Sequence, residues 1–271
     1  MSEALDVREE LLKNVQRKKV TASIVVDEDG IIAGITSTKE EAGKLGLSIL
    51  KVVNEGSPVR KGDEVIRFSG TPRQIVMAEE ILMGLMAKPS GIATRAHKFV
   101  KATGGKPKVV CGAWKKMPPS LKEMIREAIL TGGALSRIEA LPFAYLDKNY
   151  IELLGGIKKS LEAVTSLSHV SKVVQVRGRY QDIVSEACEA AESGADIVFI
   201  DSGKPDDVRR IVERLRQRGL REKVKIAFGG GVNLEAIDEL KNLDIDILDI
   251  GRQIVDAPLL DMRLEIIDAK A

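Results

Sequence analysis

The sequence predicts an α/β protein in which an N-terminal α+β domain precedes an incomplete (β/α) barrel of about six strands. From residue 106 onward, short apolar segments alternate with helical patterns six times, as in parallel strands joined by helices. These segments are continuously apolar, which is typical of strands covered on both faces. Residues 1–105 mix strands and helices instead, so we expect two domains, 1–105 with a helical linker and 106–271. An open doubly wound sheet is the less favoured alternative for the second domain.

The first domain is predicted to begin with a helix and to contain four strands. The charged residues 1–19 have no apolar core and favour a helix over a signal peptide. Turn-forming residues separate the apolar runs that follow. The predicted strands lie in TASIVVDEDGIIAGI (21–35, around a turn at 28–30), LSILKVV (47–53) and DEVIRFSG (63–70), with a turn-rich segment at 54–62.

A long helical pattern forms the linker between the two domains. It starts at Pro72, and Pro89-Ser90-Gly91 is expected to interrupt it, because proline lacks the N–H that a helix interior needs. A second helix at 94–102 then leads into a Gly-Gly pair. We therefore expect two helices here.

The second domain repeats a strand followed by a helix. Val208, Ile211, Val212 and Leu215 form one helical stripe, and Gly219 is placed to end that helix. The predicted strands are KVVCGAW, ALPFAYL, KVVQV, ADIVFID, VKIAF and DILDI, and the predicted helices cover 120–130, 157–167, 181–192, 206–218 and 234–240.

Composition excludes several classes of protein. Lys and Arg number 42 against 40 acidic residues, and aromatic residues make up 3%, whereas nucleic-acid-binding proteins concentrate basic charge and stacking surfaces. The longest strongly apolar stretch, 81–87, is too short to cross a bilayer. Cys111 and Cys188 form neither a disulfide framework nor a zinc motif. We expect a cytoplasmic protein that binds neither nucleic acid nor a membrane.

Two glycine segments predict a phosphate site. FGGGVN and DIGRQ end successive strands, and ligands bind at the carboxyl ends of parallel strands. Backbone N–H groups of Gly230, Gly231 and Gly251, with a helix expected to start at Asn233, would bind an anion. The alternative is that the glycines only form a tight turn.

Asp201 and several basic residues are the other candidates at these strand ends. Asp201 could accept ribose hydroxyls or hold Mg²⁺, or it could cap the following helix. Lys115, Lys116 and Lys122 follow the first barrel strand and Arg137 precedes the second, so together they would bind phosphates or a carboxylate. His97 and His169 have no metal-ligand spacing with cysteine, and Lys225 is the only strand-embedded candidate for a Schiff base.

Nearly the whole chain resembles the quinolinate and nicotinate phosphoribosyltransferase family. The resemblance is carried by EGSPVRKGDEV, AEEILMGLMAKPSGIATRA, WKKMPPSLK, TGGALSR, IDS, FGGGVNLEAI and IDILDIG, in this order and spacing. It implies transfer of a phosphoribosyl group from 5-phosphoribosyl 1-pyrophosphate to a pyridine carboxylate, with Mg²⁺ and release of pyrophosphate. It also implies a homodimer or an assembly of dimers.

The resemblance also implies roles for single residues. Gly230, Gly231 and Gly251 would hold the 5-phosphate, and Asp201 would face the ribose and the metal. Catalysis would further depend on Lys116 at the pyrophosphate and on Arg137, which with Lys115 would bind the carboxylate of the acceptor.

Four positions depart from the pattern of the quinolinate branch. Glu80 stands in place of an arginine lent to the neighbouring subunit, Ser136 in place of a histidine, and Asp147 in place of a lysine. Arg177 stands in place of an acidic residue. Glu80, Ser136 and Asp147 are expected to lie in the substrate site. Carboxylates at Glu80 and Asp147 would repel a dicarboxylate there, because unpaired charge in a dry site is costly. Quinolinate is therefore not the expected acceptor.

The nicotinate branch fits Glu79, Glu80 and Gly84 better, and a monocarboxylate needs fewer cations. We therefore expect a Mg²⁺-dependent phosphoribosyltransferase that acts on nicotinate or a related small aromatic acid. Two alternatives stay open: a relative that binds ribose phosphates without catalysis, and an enzyme for an uncharged or cationic ring that Glu80 and Asp147 would bind.

Overall fold

The computed structural model describes residues 7–270, which form two compact units. Unit 1 contains the chain up to His97, Glu123–Gly132 and the chain from Ala257 onward. Unit 2 contains Lys98–Lys122 and Gly133–Asp256. The predicted fold class, an N-terminal α+β region followed by parallel strands with helices, is confirmed. The domain division between residues 105 and 106 stays a prediction.

The helix expected in residues 1–19 is present as a short helix, and residues 1–6 lie outside the described part of the chain. No helix among the described residues is long and apolar enough to cross a membrane. The strands are β1 (Lys19–Val26), β2 (Gly30–Ile31), β3 (Ser48–Val52), β4 (Pro58–Val59), β5 (Glu64–Gly70), β6 (Lys108–Val110), β7 (Phe143–Leu146), β8 (Ser171–Val176), β9 (Ile197–Asp201), β10 (Lys225–Gly229), β11 (Ile247–Asp249) and β12 (Met262–Lys270). The α-helices are α1 (Val7–Leu12), α2 (Ile35–Lys44), α3 (Pro72–Thr103), α4 (Lys122–Thr131), α5 (Lys148–Leu154), α6 (Ile157–Ala163), α7 (Ile183–Glu192), α8 (Pro205–Gln217), α9 (Ile237–Leu240) and α10 (Arg252–Val255).

Unit 1 is built on a four-stranded antiparallel sheet of order β12-β1-β5-β3. Its core contains Ala22 and Ile24 of β1 together with Leu82 and Met86 of α3. The two strands expected in 21–35 both exist, but β2 pairs with β4 in a separate small sheet. β12 was not predicted, although Met262, Leu264 and Ile266 alternate with charged residues, and only Met262 among its nine residues is buried.

α3 is one continuous helix, so the interruption expected at Pro89 is wrong. Proline removes the hydrogen bond to the carbonyl four residues earlier, here Leu85. Gly34 approaches this carbonyl so closely that a Cβ on Gly34 would lie 2.1 Å from the Leu85 oxygen. A Cβ on Gly91 would likewise lie 1.9 Å from the Pro258 oxygen. The helix therefore continues through a segment that is tightly packed on neighbouring backbone.

The residues after Pro89 bind neighbouring backbone through their hydroxyl groups. Ser90 is fully buried, and its Oγ accepts from the Ala33 N–H at 2.9 Å and donates to the Ala33 carbonyl at 3.3 Å. Thr94 Oγ1 accepts from the Ile31 N–H at 2.8 Å. The Ser-Gly-Ile-Ala-Thr segment thus joins α3 to the backbone around β2, which is a structural role within unit 1.

Unit 2 contains a six-stranded parallel sheet of order β6-β11-β10-β9-β8-β7. The strands from β7 to β11 neighbour one another in chain order, and the first strand, β6, pairs with the last, β11. A parallel bridge between Val110 and Leu135 continues the other side of β6. A doubly wound sheet would instead reverse its strand order at an internal point. The incomplete barrel is therefore the architecture, and its interior contains Val110, Tyr145, Val173, Ile197, Phe199, Ala227 and Ile247.

Three of the five predicted barrel helices, α4, α7 and α8, form within two residues of the expected bounds. The helix expected over 157–167 ends at Ala163, and α5 was not predicted. Val208, Ile211, Val212 and Leu215 are buried on α8 as expected. The helix expected over 234–240 covers only the four residues of α9, because Asn233 Oδ1 accepts the Ala236 N–H at 3.0 Å and closes a turn first. A helix dipole at Asn233 is therefore not part of the predicted phosphate site.

Candidate active site

The carboxyl ends of the barrel strands form one edge of unit 2, which we call the barrel mouth. Asp201 ends β9, Asp249 ends β11, and Tyr145 is the penultimate residue of β7. A 3₁₀ turn after β6 contains Lys115 and Lys116. Barrels bind their ligands at this edge. The strand order thus brings residues that are far apart in sequence to one surface.

Three basic side chains at the barrel mouth have no acidic partner among the described residues, and two of them contact aromatic rings. Lys115 Nζ lies 5.1 Å from the centroid of the Tyr145 ring, and Arg137 Cζ lies 5.4 Å from that of Trp114. Within residues 7–270, Lys115, Lys116 and Arg137 form no ion pair. An aromatic face holds a cation in place without neutralising its charge. These three cations are therefore available to an anionic ligand.

Ser136 contributes through its backbone. Its carbonyl accepts the Trp114 indole N–H at 2.6 Å, which orients the ring that Arg137 contacts. Ser136 thus supports the position of Arg137, whereas a direct bond from its hydroxyl to a substrate stays a prediction.

Two carboxylates expected near the acceptor already have partners. Asp147 is the N-cap of α5 and accepts from the N–H groups of Asn149 at 2.9 Å and Tyr150 at 3.2 Å. Glu80 belongs to unit 1, where Arg8 Nη2 donates to its two oxygens at 2.7 and 2.8 Å. Neither residue is therefore an unpartnered charge of the kind expected to repel a dicarboxylate.

Asp201 is held by the end of β8. Gln175 Nε2 donates to Asp201 Oδ2 at 2.7 Å, and Arg177 Nε lies 3.6 Å from the same oxygen. Asp201 does not cap α8, whose N-cap is Lys204 without a side-chain bond. Asp201 Oδ1 makes no hydrogen bond in the described part of the chain. One carboxylate oxygen is thus available to a ligand.

Asp249 is a second carboxyl group at the barrel mouth, which the sequence reasoning missed. The Gly112 N–H donates to its Oδ1 at 3.3 Å. Burial raises the pKa of Asp249, and the negative charge of Asp201 raises it further, whereas Lys115 and Lys116 lower it. Its position at a strand end, the same as that of Asp201, was the signal that could have found it.

The glycine segments after β10 and β11 present unpaired backbone donors. Gly230 and Gly231 have φ values of 104° and 99°, a conformation that favours glycine. A Cβ on Gly230 would lie 2.5 Å from the backbone nitrogen of Gly203, so the turn is also tightly packed. The N–H groups of Gly230, Gly231 and Gly251 donate to no other described residue. Because most backbone donors in folded proteins are paired, these three are candidates for binding an anion.

The carboxylates at the barrel mouth do not form a complete metal site. Residues 7–270 contain no cluster of three or more His, Cys, Asp or Glu side chains that could hold a metal ion. Mg²⁺ is commonly bound through one or two carboxylates together with substrate phosphates. The single open oxygen of Asp201 does not fit a resident Mg²⁺ ion, but it is one ligand for an ion that arrives with a phosphate compound.

Other candidate nucleophiles have no support. Burial raises the pKa of the Cys111 thiol to about 12, so it is protonated at neutral pH. Lys225 is exposed and its Nζ lies 2.8 Å from Glu139, whereas a Schiff-base lysine needs a desolvated site. The chemistry of the barrel mouth is therefore binding and charge stabilisation.

Two family models cover almost the whole chain. Residues 6–90 match the N-terminal domain of quinolinate phosphoribosyl transferase, and residues 92–265 match the C-terminal domain.

Related proteins and solved structures agree with these matches. A probable nicotinate-nucleotide pyrophosphorylase (carboxylating) of Archaeoglobus fulgidus is 31% identical, and the match covers 93% of this chain and 96% of that protein. One from Methanothermobacter thermautotrophicus is 30% identical over 92% of this chain and 88% of that protein. The structure of nicotinate-nucleotide pyrophosphorylase from Pyrococcus furiosus is similar in fold, with a TM-score of 0.83 at 24% identity, covering 97% of this chain and 73% of that one.

Proposed function

Because this chain belongs to the quinolinate phosphoribosyl transferase family, we propose that its barrel mouth transfers a phosphoribosyl group to a pyridine carboxylate. The family makes the chain a phosphoribosyltransferase, and the acceptor and the residue roles are the proposal. The donor is 5-phosphoribosyl 1-pyrophosphate, and the products are a mononucleotide and pyrophosphate. With quinolinate as acceptor, one ring carboxylate is also lost as CO₂ and replaced by a proton. The observation that carries the proposal is the coincidence of three unpaired cations and three unpaired glycine N–H groups at one edge of the barrel.

Quinolinate is the acceptor that we propose first. The relatives at 31% and 30% identity are named carboxylating pyrophosphorylases of nicotinate nucleotide, and the family is named after quinolinate. Lys115 and Arg137 would bind the two carboxylates, since a charged hydrogen bond to each is the strongest contact available. The cap at the start of α5 holds Asp147 Oδ1 and would offset part of its repulsion of a second carboxylate.

Nicotinate is the second candidate, and one observation favours it. Asp249 places a carboxyl group near Lys115 and Lys116, where a second substrate carboxylate would be repelled whenever Asp249 is ionised. An acceptor with a single carboxylate avoids this repulsion.

The roles of the residues follow from the positions of their free atoms. The N–H groups of Gly230, Gly231 and Gly251 would hold the 5-phosphate, and Asp201 Oδ1 would accept from a ribose hydroxyl and stabilise the positive charge that develops on the ribose ring. Lys116 would neutralise the departing pyrophosphate. Mg²⁺, when bound to the donor, would supply further charge neutralisation, and Asp201 would be its protein ligand.

The first experiment measures pyrophosphate release from wild-type protein with Mg²⁺ and 5-phosphoribosyl 1-pyrophosphate. Quinolinate, nicotinate and the uncharged nicotinamide are compared as acceptors, and release of CO₂ is followed with quinolinate. Release of pyrophosphate and CO₂ with quinolinate is the expected result, and release with nicotinate alone would reassign the acceptor. No release with any acceptor, alongside stabilisation by the donor, would favour a binding protein without catalysis.

Asp201→Asn tests the site assignment. We expect kcat to fall at least about 10²-fold, the typical cost of removing one charge-stabilising group. Lys159→Gln on the exposed outer helix α6 is the matched control and should leave the rate unchanged. The homodimer expected from the family is tested separately by light scattering.

A further inference from the structure

The four residues after β8, 177–180, form a loop that one buried carboxylate holds; we call it the β8 loop. Glu186 of α7 is 2% exposed and accepts all four backbone N–H groups of the loop, at distances of 2.9, 2.8, 2.7 and 2.8 Å. A buried carboxylate is costly unless hydrogen bonds satisfy it, and here four bonds do so. The β8 loop therefore has its shape before any ligand binds.

The end of the β8 loop is also fixed to α5. Tyr180 Oη donates to Glu152 Oε2 at 2.8 Å and lies 3.2 Å from the Lys148 carbonyl. Gly178, with φ of 68°, makes the turn in between. The bonds to Glu186 and to α5 thus fix the backbone from which the side chains of the β8 loop extend.

The backbone donors of the β8 loop are used, but the donors of its arginine side chains are not. The guanidinium groups of Arg177 and Arg179 donate no hydrogen bond to any residue in 7–270. Arg177 is 46% exposed, and its Nε lies 3.6 Å from Asp201 Oδ2. A guanidinium carries five N–H donors in a fixed fork, so most of those on Arg177 are available to a bidentate anion.

We propose that Arg177 binds the diphosphate group of the donor and that Glu186 is the positioning residue that presents it. The inference rests on the proposed function, in which Asp201 binds the ribose. The diphosphate of 5-phosphoribosyl 1-pyrophosphate is attached to that ribose, so it lies beside the carboxylate that contacts the sugar. Among the described residues, Arg177 is the one cation that forms an ion pair with Asp201. Its fixed charge adds to that of Lys116 on the same leaving group.

The test of Arg177 is calorimetric titration with inorganic pyrophosphate in the presence of EDTA, which removes the contribution of metal. Arg177→Gln should weaken binding about tenfold, the usual effect of losing one charged hydrogen bond, and Arg177→Lys should recover part of it. Arg210→Gln on α8 is the matched control, since Arg210 also lies 3.5 Å from a single carboxylate. Equal affinity of wild type and Arg177→Gln would overturn the proposal.

The role of Glu186 is tested by a double-mutant cycle. Glu186→Gln should weaken pyrophosphate binding several-fold in the wild-type background and have no further effect in Arg177→Gln, because it acts through Arg177. An equal loss in both backgrounds would refute the positioning role. If Glu186→Gln does not fold, Glu186→Asp, which keeps the charge and shortens the side chain, takes its place in the cycle.

The two proposals can fail separately. If the protein turns over an acceptor but Arg177→Gln binds pyrophosphate as tightly as wild type, the proposed function stands and Arg177 has no role in it. Pyrophosphate binding that depends on Arg177, without turnover of any acceptor, would keep the anion site and remove the proposed reaction.

Discussion

Two groups of basic side chains in unit 2 differ in where their counter-charges lie. Near the amino ends of β10 and β11, Arg221 is only 9% exposed, and its guanidinium binds Asp244 at 2.6 and 2.9 Å and Asp246 at 3.1 Å. These acids raise the pKa of Arg221 despite its burial. At the barrel mouth, Lys116 and Arg137 have no acidic partner within residues 7–270. The first group stabilises the fold, and the second is left for a ligand to neutralise.

The largest expected effect is the loss of a cation of the first group. Arg221→Met leaves Asp244 and Asp246 without their partner. Because these two carboxylates are 34% and 40% exposed, water screens part of the loss, and we expect a cost of about 2–3 kcal/mol of unfolding free energy, less than for a fully buried pair. Urea denaturation measures it. Arg209→Met, which removes an exposed ion-paired arginine on α8, is the control and should change little. Similar losses for both variants would show that burial does not determine how much these ion pairs contribute to stability.

Loss of the buried Ser90 hydroxyl should have the next largest effect on the free energy of unfolding. Ser90→Ala leaves the N–H of Ala33 without its acceptor in a buried position, at a cost of about 1–3 kcal/mol. The same denaturation experiment applies, with Ser168→Ala at an exposed position as control. An unfolding free energy equal to that of the control variant would refute the structural role of the Ser-Gly-Ile-Ala-Thr segment.

A cation of the second group should behave in the opposite way. Arg137→Gln should raise the KM for the acceptor about tenfold, equivalent to about 1.4 kcal/mol, because a charged contact to the carboxylate is lost. Its unfolding free energy should stay within about 0.5 kcal/mol of wild type, since no ion pair is broken. Steady-state kinetics and denaturation of the same preparation provide both values. A stability loss as large as that of Arg221→Met would remove the distinction between the groups.

The smallest effect is expected at Asp249 and depends on pH. The pKa of Asp249 is raised in the folded state, so between the unfolded value of about 3.9 and the folded value the native protein binds more protons. Its contribution to stability therefore falls as the pH rises through this window. Asp249→Asn cannot ionise and should gain about 2–4 °C in Tm at pH 7 and nothing below pH 4. A gain of equal size at both pH values would show that charge is not the cause.

The parts of the fold that were predictable are those with a local signal. Six barrel strands are continuous apolar runs, and Val208 to Leu215 form a regular helical stripe. β12 carries only a short alternation over Met262, Leu264 and Ile266, and most of its residues are exposed and pair with β1. The continuity of α3 was not predicted either, because a proline inside a helical pattern usually marks an interruption, and the close packing of Gly34 on the Leu85 carbonyl has no signal in the sequence.

The candidate site likewise contains residues with a local signal in the sequence and residues without one. Asp201 and the glycine segments end strands, and strand ends are visible in the sequence. Glu186 lies in the middle of a helix, and its role requires four N–H groups that only the folded chain brings to it. The cap formed by Asp147 is a local feature that its place before α5 could have revealed.

The pairing of β1 with β12 joins two segments separated by the whole barrel. During synthesis, residues 19–26 leave the ribosome long before residues 262–270 exist. β1 is a central strand of its sheet, so until then one of its edges has no partner. An open strand edge is a template for pairing with other chains. One edge of β1 therefore stays without its strand partner until all six barrel strands have been synthesised.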